Sequence, residues 1–537
     1  DVFFLINSLI MIVQQICTIL TTILVTGDAA NILYIIPFSA PSHYISLRPI
    51  GIELATRGHN VTVITAHKEK DPPNSYHQIV TDEVLFWDLL GTEKPNIFTM
   101  VNYTSEDFLN NIIWAGAVGY TESAFKSSTV KDFLNKNNNF DLVISEIFFH
   151  EAFYALAHKY NAPLVLVSTF GNCMRQNIMS RNPLQVATTT AEYLTLPDPD
   201  RFLGRLRNLY FTAYDFFWWK FWYLNKQEQL VQKYLPDLQK PVPSLYDIHQ
   251  NASLILYNGY FSLDGPVAYL PNIVEVGGMH MTESKNKLPK DLQDILDNAK
   301  HGVVYVNFGS NVQSSELPVD KKRAFLNVFR KLKQTVVWKW EDDHLEDKPD
   351  NVVIRKWFPQ KEILTHPNIK VFISHGGLIG TQEAVYQGVP IIGVPIFADQ
   401  YNNLLQVQNN GFGRILQFQD INEENLSKIL FDVLKDDRYM KNAKEASRRF
   451  KDRPMSPLDT AIFWIEYVIR HNGAEFMKNP ALKLHWFEYA MLDVYAFVIF
   501  IVFVILYSAI QLFKIALKFI FKSEKKMSQD KKNKKKN

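Results

Sequence analysis

The chain has 537 residues, with 57 Lys and Arg against 55 Asp and Glu, so its formal net charge is only +2. A near-neutral total argues against a nucleic-acid-binding protein, which carries a clear basic excess. At 47% hydrophobic and 21% charged the chain is not disordered throughout, its length suits two or more domains, and Cys17 and Cys173 alone exclude a disulfide scaffold or a Cys-rich metal site.

From Val2 to Gly27 runs an uncharged apolar stretch closing on Gly27-Asp28-Ala29-Ala30. Small residues there suit a signal-peptidase site, so residues 1–30 read as a signal peptide, with an N-terminal membrane anchor as the competing reading. Asn31–Pro37 is an apolar run of strand type, followed by a loop holding His43 and a helical stretch over Ile45–Arg57. Gly58 is a helix stop and Val61–Thr65 the next strand, which makes a βαβ unit and therefore a parallel sheet. Asp141–Ser145 and Pro163–Ser168 flank another helical segment and repeat the pattern. The first βα turn lacks Gly-x-Gly-x-x-Gly, so no dinucleotide cofactor is expected. Arg205–Leu224 is crowded with aromatic residues and reads either as helix packing or as a surface that leans on a membrane or lines an acceptor site.

A second βα series starts at Gly302–Asn307 and continues through Thr335–Trp340, Val352–Lys356, Lys370–Ser374 and Val389–Val394. The predicted domains are 31–270 and 271–450, with a boundary near 265–285, then a connecting segment over 451–493. Two α/β domains in sequence create a cleft between the carboxyl ends of two sheets, where ligands sit. Residues 494–513 carry no charge and are long enough to cross ~30 Å of hydrocarbon as a transmembrane helix. The tail 514–537 holds ten Lys against Glu524 and Asp530, an excess of +8 that leaves −6 for residues 1–513. Positive-inside logic therefore predicts a single-pass type I protein with a lumenal body and a cytosolic, disordered, lysine-rich tail. Its ending, Lys534-Lys535-Lys536-Asn537, reads as a dilysine endoplasmic-reticulum retrieval signal or as a polybasic stop-transfer tail. Sequons at Asn60, Asn102, Asn251 and Asn425 are compatible with a lumenal body.

The chemistry concentrates in Trp357-Phe-Pro-Gln-Lys-Glu, Ser374-His375-Gly376-Gly377, Glu383 and Asp399-Gln400. An exposed Trp offers a stacking face for a base. Glycines after a strand let backbone approach an anion at the following helix N-terminus, where His375 adds a donor. Glu383 can accept from a pair of ribose hydroxyls, and Asp399-Gln400 suits sugar hydroxyls. In this order and spacing the stretch resembles the signature of UDP-glycosyltransferases, and Asp452–Asp459 and Trp464–His471 are similar to the segment that follows the family's donor domain. The membrane anchor resembles the animal branch, and Gly380-Thr-Gln-Glu383 looks insect-like.

That resemblance implies a GT-B fold, two facing Rossmann-like domains with the UDP-sugar in the C-terminal one. By position, Trp357 would stack on uracil, Gln360 contact the nucleoside, Glu383 hold the ribose, Ser310, His375 and Gly377 bind phosphate, and Asp399 and Gln400 hold the sugar. His43 stands where the family keeps its catalytic base, and Glu146 matches its usual Asp with one more methylene. Ile379 departs from a family Asn. The implied reaction is inverting transfer of a sugar, glucose favoured over glucuronate, to a hydroxyl of a small lipophilic acceptor, with a silent binding protein on the same fold as the alternative. Asp198-Pro199-Asp200 is formally an Asp-x-Asp cation motif, but its proline-punctuated loop explains it as turn chemistry, so no metal or other cofactor is expected. A serine hydrolase is excluded by the lack of a Gly-x-Ser-x-Gly elbow.

Overall fold

The apolar runs pair as parallel strands in a computed structural model, which describes residues 29–535 except 83, 85, 92, 195–200 and 282–286. Residues 1–28 of the expected signal peptide and Asp198-Pro199-Asp200 lie outside the described residues. In the first sheet the strands are β1 (Asn31–Ile36), β2 (Asn60–Thr65), β3 (Tyr76–Val80), β4 (Leu142–Glu146), β5 (Leu164–Ser168), β6 (Leu254–Tyr257) and β7 (Ile273–Glu275), in spatial order β3-β2-β1-β4-β5-β6-β7. The second sheet holds β8 (Val303–Asn307), β9 (Thr335–Lys339), β10 (Val352–Arg355), β11 (Ile369–Ser374), β12 (Ile391–Gly393) and β13 (Gly413–Ile415), in order β10-β9-β8-β11-β12-β13. The central strands are buried on both faces, which is why they read as unbroken Val, Ile and Leu runs rather than alternating ones.

Each sheet reverses its strand order once, between β1 and β4 in the first and between β8 and β11 in the second. Side chains leaving the carboxyl ends of those pairs open a crevice, the place where α/β sheets bind ligands. The expected loop around His43 is instead the first turn of helix α1 (Pro41–Thr56). Pro41 has its φ set for a helical first position and so starts the helix ahead of His43.

The aromatic segment forms α2 (Phe202–Trp218), prolonged by a π-helical turn over Trp219–Tyr223. Phe211, Trp219 and Tyr223 are buried in the core, so the packing reading holds for that face. The segment does not line the cleft, which corrects the acceptor-lining reading. Two further helices follow strands of the second sheet: α3 (Leu378–Gln387) after β11 and α4 (Gln400–Asn409) after β12.

β7 carries the first sheet past residue 270, so its lobe ends close to Gly277-Gly278. The segment after 450 is more than a connection. Helix α5 (Pro457–Arg470) returns to the first lobe and buries Ala461, Ile462, Ile465 and Val468 with Ile32 and Val63 of its sheet and Leu47 of α1. Arg57 donates to Asp459 at 2.9 Å along the same seam. Cys173, buried, donates its thiol to Glu192 and forms no disulfide.

Residues 479–537 are a separate compact unit. Its helix α6 (Leu492–Lys534) includes the predicted 494–513 span, has a mean hydropathy of 2.6 in its most apolar window, and buries none of that window. The expected disorder of the lysine-rich tail gives way to a continuation of this helix, since Lys, Glu, Gln and Met are good helix formers and neither Gly nor Pro interrupts them.

If α5 is part of the first lobe's core, Ile465→Ala is expected to destabilise the chain by about 2–5 kcal/mol, read by urea unfolding in detergent. A loss near zero would return this segment to the role of a linker.

Candidate functional site

Between the two sheets lies one cleft of about 910 Å³. Nine of the ten predicted site residues, His43, Ser310, Trp357, Gln360, His375, Gly377, Glu383, Asp399 and Gln400, line it, as does Ile379. Glu146, the tenth, stands directly behind His43.

On the first-lobe side, α1 delivers His43 and the end of β4 delivers Glu146. His43 Nδ1 and Glu146 Oε1 share a short hydrogen bond. Because the carboxylate can only accept, Nδ1 carries the hydrogen and Nε2 is left as the basic nitrogen. Thr169, just past β5, lies 3.1 Å from His43 Nδ1 and donates to Glu146 Oε1 at 3.2 Å, a member of the cluster that sequence reasoning missed. Phe38, Phe148 and Phe170 pack around the imidazole, with Phe38 and Phe148 centroids each 4.7 Å away. Glu146 is only 1% exposed, so its charge relies on these donors rather than on water. Ile97, Met100, Phe108, Ile112 and Ile113 extend this side of the cleft as an apolar wall.

On the second-lobe side the residues follow β8 and β11. Asn307, the last residue of β8, was missed as a site residue although it ends a predicted strand. Its Oδ1 accepts from Gly309 N at 2.8 Å and its Nδ2 donates to Gln360 Oε1 at 2.7 Å, which ties the Gly309-Ser310 loop to the Trp357-Gln360 segment. Gln360 then donates to Glu383 at 2.6 Å. Burial pushes the Glu383 carboxyl up to about 7, against that hydrogen bond. Trp357 is 63% exposed and presents its ring to the cleft mouth.

His375 sits between glycines. A Cβ on Gly309 would come 2.7 Å from its Cε1, and one on Gly377 2.6 Å from its Nε2. Gly309 also has φ +90°, a conformation that side-chain-bearing residues avoid. Burial and the nearby Lys339 ammonium lower the His375 imidazole to about 4, so at neutral pH it is an uncharged donor. Lys339, at the end of β9, is buried and donates to Gly309 O at 3.0 Å and Glu341 at 2.6 Å. Gly377 caps α3, whose first amide groups face the same space and favour an anion.

At the start of α4, Asp399 accepts from Asn403 at 2.8 Å, and burial pushes its carboxyl up to about 6. Gln400 Oε1 is taken by the amides of Ile396 and Phe397, which leaves its NH2 group as the available donor. Asn402 on the same helix reaches the opposite lobe and donates to the carbonyls of Ala191 and Glu192, both at 3.1 Å. The arrangement puts a carboxylate-backed imidazole opposite a pocket with an aromatic face, a buried carboxyl, an anion-favouring helix start and a pair of polar side chains.

The sequence family described as UDP-glucoronosyl and UDP-glucosyl transferase matches residues 31–527. UDP-glycosyltransferase UGT5 of Dactylopius coccus is 34% identical over 93% of this chain and 95% of its own. UDP-glucosyltransferase 2 of the same insect is 35% identical over 90% and 92%. UDP-glucuronosyltransferase 2B7 of Homo sapiens is 29% identical over 85% and 88%. Among solved structures, the calicheamicin glycosyltransferase CalG4 has a TM-score of 0.56 at 17% identity, over 83% of this chain and 99% of that one, which establishes the GT-B fold.

The glycine contacts are testable by comparison. Gly91 has φ +66° with open space around it, whereas Gly309 has both a positive φ and the His375 ring in the way. Gly91→Ala is expected to lose about 1–2 kcal/mol from backbone strain alone, and Gly309→Ala clearly more, measured by urea unfolding. Equal losses would mean the ring yields freely.

Proposed function

The chain belongs to the UDP-glucuronosyl and UDP-glucosyl transferase family, enzymes that move a sugar from a UDP-sugar to an acceptor, and from that premise we propose inverting glucosyl transfer to the hydroxyl of a small lipophilic molecule. The observation that carries the chemistry is the His43–Glu146 pair facing the donor residues across one cleft. His43 Nε2 takes the acceptor's hydroxyl proton while the acceptor oxygen forms its bond to the anomeric carbon from the face opposite UDP. The bond between that carbon and the β-phosphate oxygen breaks, and UDP leaves with the electron pair. Glu146 holds the productive tautomer and stabilises the imidazolium, with Thr169 fixing the carboxylate.

On the donor side, Trp357 stacks on uracil, Gln360 contacts the nucleoside and Glu383 accepts from the ribose hydroxyls. Ser310, His375 and the Gly377 end of α3 bind the diphosphate, with the helix dipole and the nearby Lys339 ammonium opposing the charge that develops on UDP. These groups supply the stabilisation a divalent cation would otherwise give, which supports a metal-independent reaction without other cofactors. Asp399 and Gln400 hold the sugar. A neutral 6-hydroxymethyl group suits the acidic Asp399 better than a second carboxylate would, and the insect glucosyltransferase relative is nearer in identity than the human glucuronosyltransferase, so glucose is the preferred donor sugar. The apolar first-lobe wall supports a lipophilic acceptor.

Helix α6 and its lysine-rich end support a single-pass type I protein of the endoplasmic-reticulum membrane, with the catalytic body in the lumen.

Microsomes expressing the chain, given a panel of UDP-sugars and a phenolic acceptor, are expected to release UDP with UDP-glucose in the presence of EDTA. His43→Ala should lower kcat by about 10²–10⁴-fold. Full turnover in that variant removes the base assignment, and EDTA-sensitive turnover restored by manganese removes the metal-independent reading.

A second test uses the titration of Glu383. Accepting two hydroxyls stabilises its carboxylate, so ligand binding expels a proton wherever the free group is protonated. With the free carboxyl near 7, uridine affinity is expected to be greatest near pH 8 and to weaken progressively as pH falls through 7. Glu383→Gln should abolish that slope, as read by calorimetry. Uridine itself does not titrate in this range, so a slope retained in the variant would assign it to another group.

A further inference from the structure

The turn that joins the two lobes carries a histidine with no part in the chemistry assigned above. His280 is buried and lines the cleft, and neither of its ring nitrogens has a hydrogen-bond partner among the described residues. A buried imidazole without partners is costly, so a polar group of a ligand in the cleft is the natural complement to it.

The ring is held by its backbone rather than by its own polar atoms. Gly277 N donates to Gly259 O at 2.9 Å and Gly278 N to Asn258 Oδ1 at 3.3 Å, while Lys361 Nζ lies 3.5 Å from the His280 carbonyl oxygen. The Asn258 carbonyl also accepts from Gln382 of α3 at 2.8 Å. Gln382 is the residue before Glu383, so one asparagine registers the His280 turn against the helix that bears the buried carboxyl.

His280 Nε2 stands 4.0 Å from Glu383 Oε1. That is too long for a hydrogen bond, yet an oxygen about 2.8 Å from each atom bridges the two. The other carboxyl oxygen, Oε2, accepts from Gln360 at 2.6 Å, so the bridge falls on the Oε1 side. Burial and the Lys361 ammonium lower the His280 imidazole to about 3, so it is neutral and offers one donor and one acceptor. With its hydrogen on Nε2 the ring donates to the bridging oxygen, and the Glu383 carboxylate accepts that oxygen's hydrogen. A hydroxyl can do both, whereas a carbonyl or phosphate oxygen has no hydrogen to give and an ammonium group cannot accept.

We propose that His280 is a specificity-determining residue of the donor pocket, donating from Nε2 to one ribose hydroxyl whose hydrogen goes to Glu383 Oε1. The proposal rests on the reading of Glu383 as the ribose acceptor. It divides the two ribose hydroxyls between the halves of one carboxylate, one on the His280 side and the other on the Gln360 side. A nucleotide lacking the first hydroxyl fills the pocket and leaves the imidazole unpaired, so the site selects ribose over deoxyribose beyond what Glu383 alone provides.

The test is calorimetry on the detergent-solubilised full chain with UDP, 2′-deoxy-UDP and 3′-deoxy-UDP. In the wild-type chain each missing hydroxyl is expected to weaken binding by about 10–100-fold. His280→Leu should reduce one of those two ratios by about 3–10-fold and leave the other unchanged, and His280→Met serves as a more adaptable apolar replacement should the Leu variant not fold. His280→Gln, whose side-chain amide can place a donor near the position of Nε2, should keep both ratios. Ratios that stay at wild-type values in the apolar variants overturn the proposal. Two ratios that fall together overturn it as well, since that outcome means Glu383 itself has moved. A His280→Gln chain as unselective as the Leu variant overturns the donor role of Nε2. Glu383→Ala separates this proposal from the reading beneath it. If it collapses both ratios while the apolar His280 variants alter neither, Glu383 keeps the ribose and only the His280 contact is lost. If it leaves both ratios unchanged, the ribose reading falls and the proposal with it.

Discussion

The proposed active centre depends on β1 and β4 lying side by side. Their adjacency is the point where the first sheet reverses its order, and it brings the first turn of α1 within hydrogen-bonding distance of the last residue of β4. His43 and Glu146 are 103 positions apart in the chain, yet the parallel register fixes their approach to within a side-chain length. A buried carboxylate needs donors, and the imidazole and the Thr169 hydroxyl both supply Oε1 of Glu146, while its buried Oε2 has no partner among the described residues. The same logic places Phe38, Phe148 and Phe170 around the pair, since excluding water strengthens the electrostatic coupling.

In the proposed reaction the second lobe has a different task, that of holding an anionic leaving group. It does so by close approach: glycine on either side of His375 leaves room for the ring, and Asn307 pins the loop that follows β8 to the segment carrying Trp357 and Gln360. The imidazole is kept neutral by burial and by Lys339, which makes it an uncharged hydrogen-bond donor. Asn402 then ties the helix bearing Gln400 to carbonyls of the opposite lobe, so the two sides of the cleft are registered against each other.

Most strands were legible because a parallel strand buried on both faces is a run of β-branched and aliphatic residues. The four that were missed are the short or polar ones: β3 reads Tyr-His-Gln-Ile-Val, and β6, β7 and β13 have four residues or fewer. They form because a neighbouring edge is already present to pair with, a cause that no local pattern carries. His43 was legible as a candidate, but the helix start at Pro41 shows that its position is set by the turn geometry after β1 rather than by a free loop. Thr169 and Asn307 were not legible as site residues, since a hydroxyl after one strand and an amide at the end of another are commonplace until the partners are known. Residues 451–493 looked like a connection because amphipathic helix α5 gives no indication of which core it will join.

The sequence by itself determined the class of each main element, the apolar span followed by lysines, and the ordered Trp, Gln, His, Gly, Glu, Asp and Gln residues of the donor side. These are local properties, written in hydrophobic runs and in spacings along 44 residues from Trp357 to Gln400. The tertiary structure alone decided which strands became neighbours, which residues therefore met His43, and which face of the aromatic helix was left outward. Those outcomes depend on strand order and on burial summed over the whole lobe, and neither is a property of any one segment.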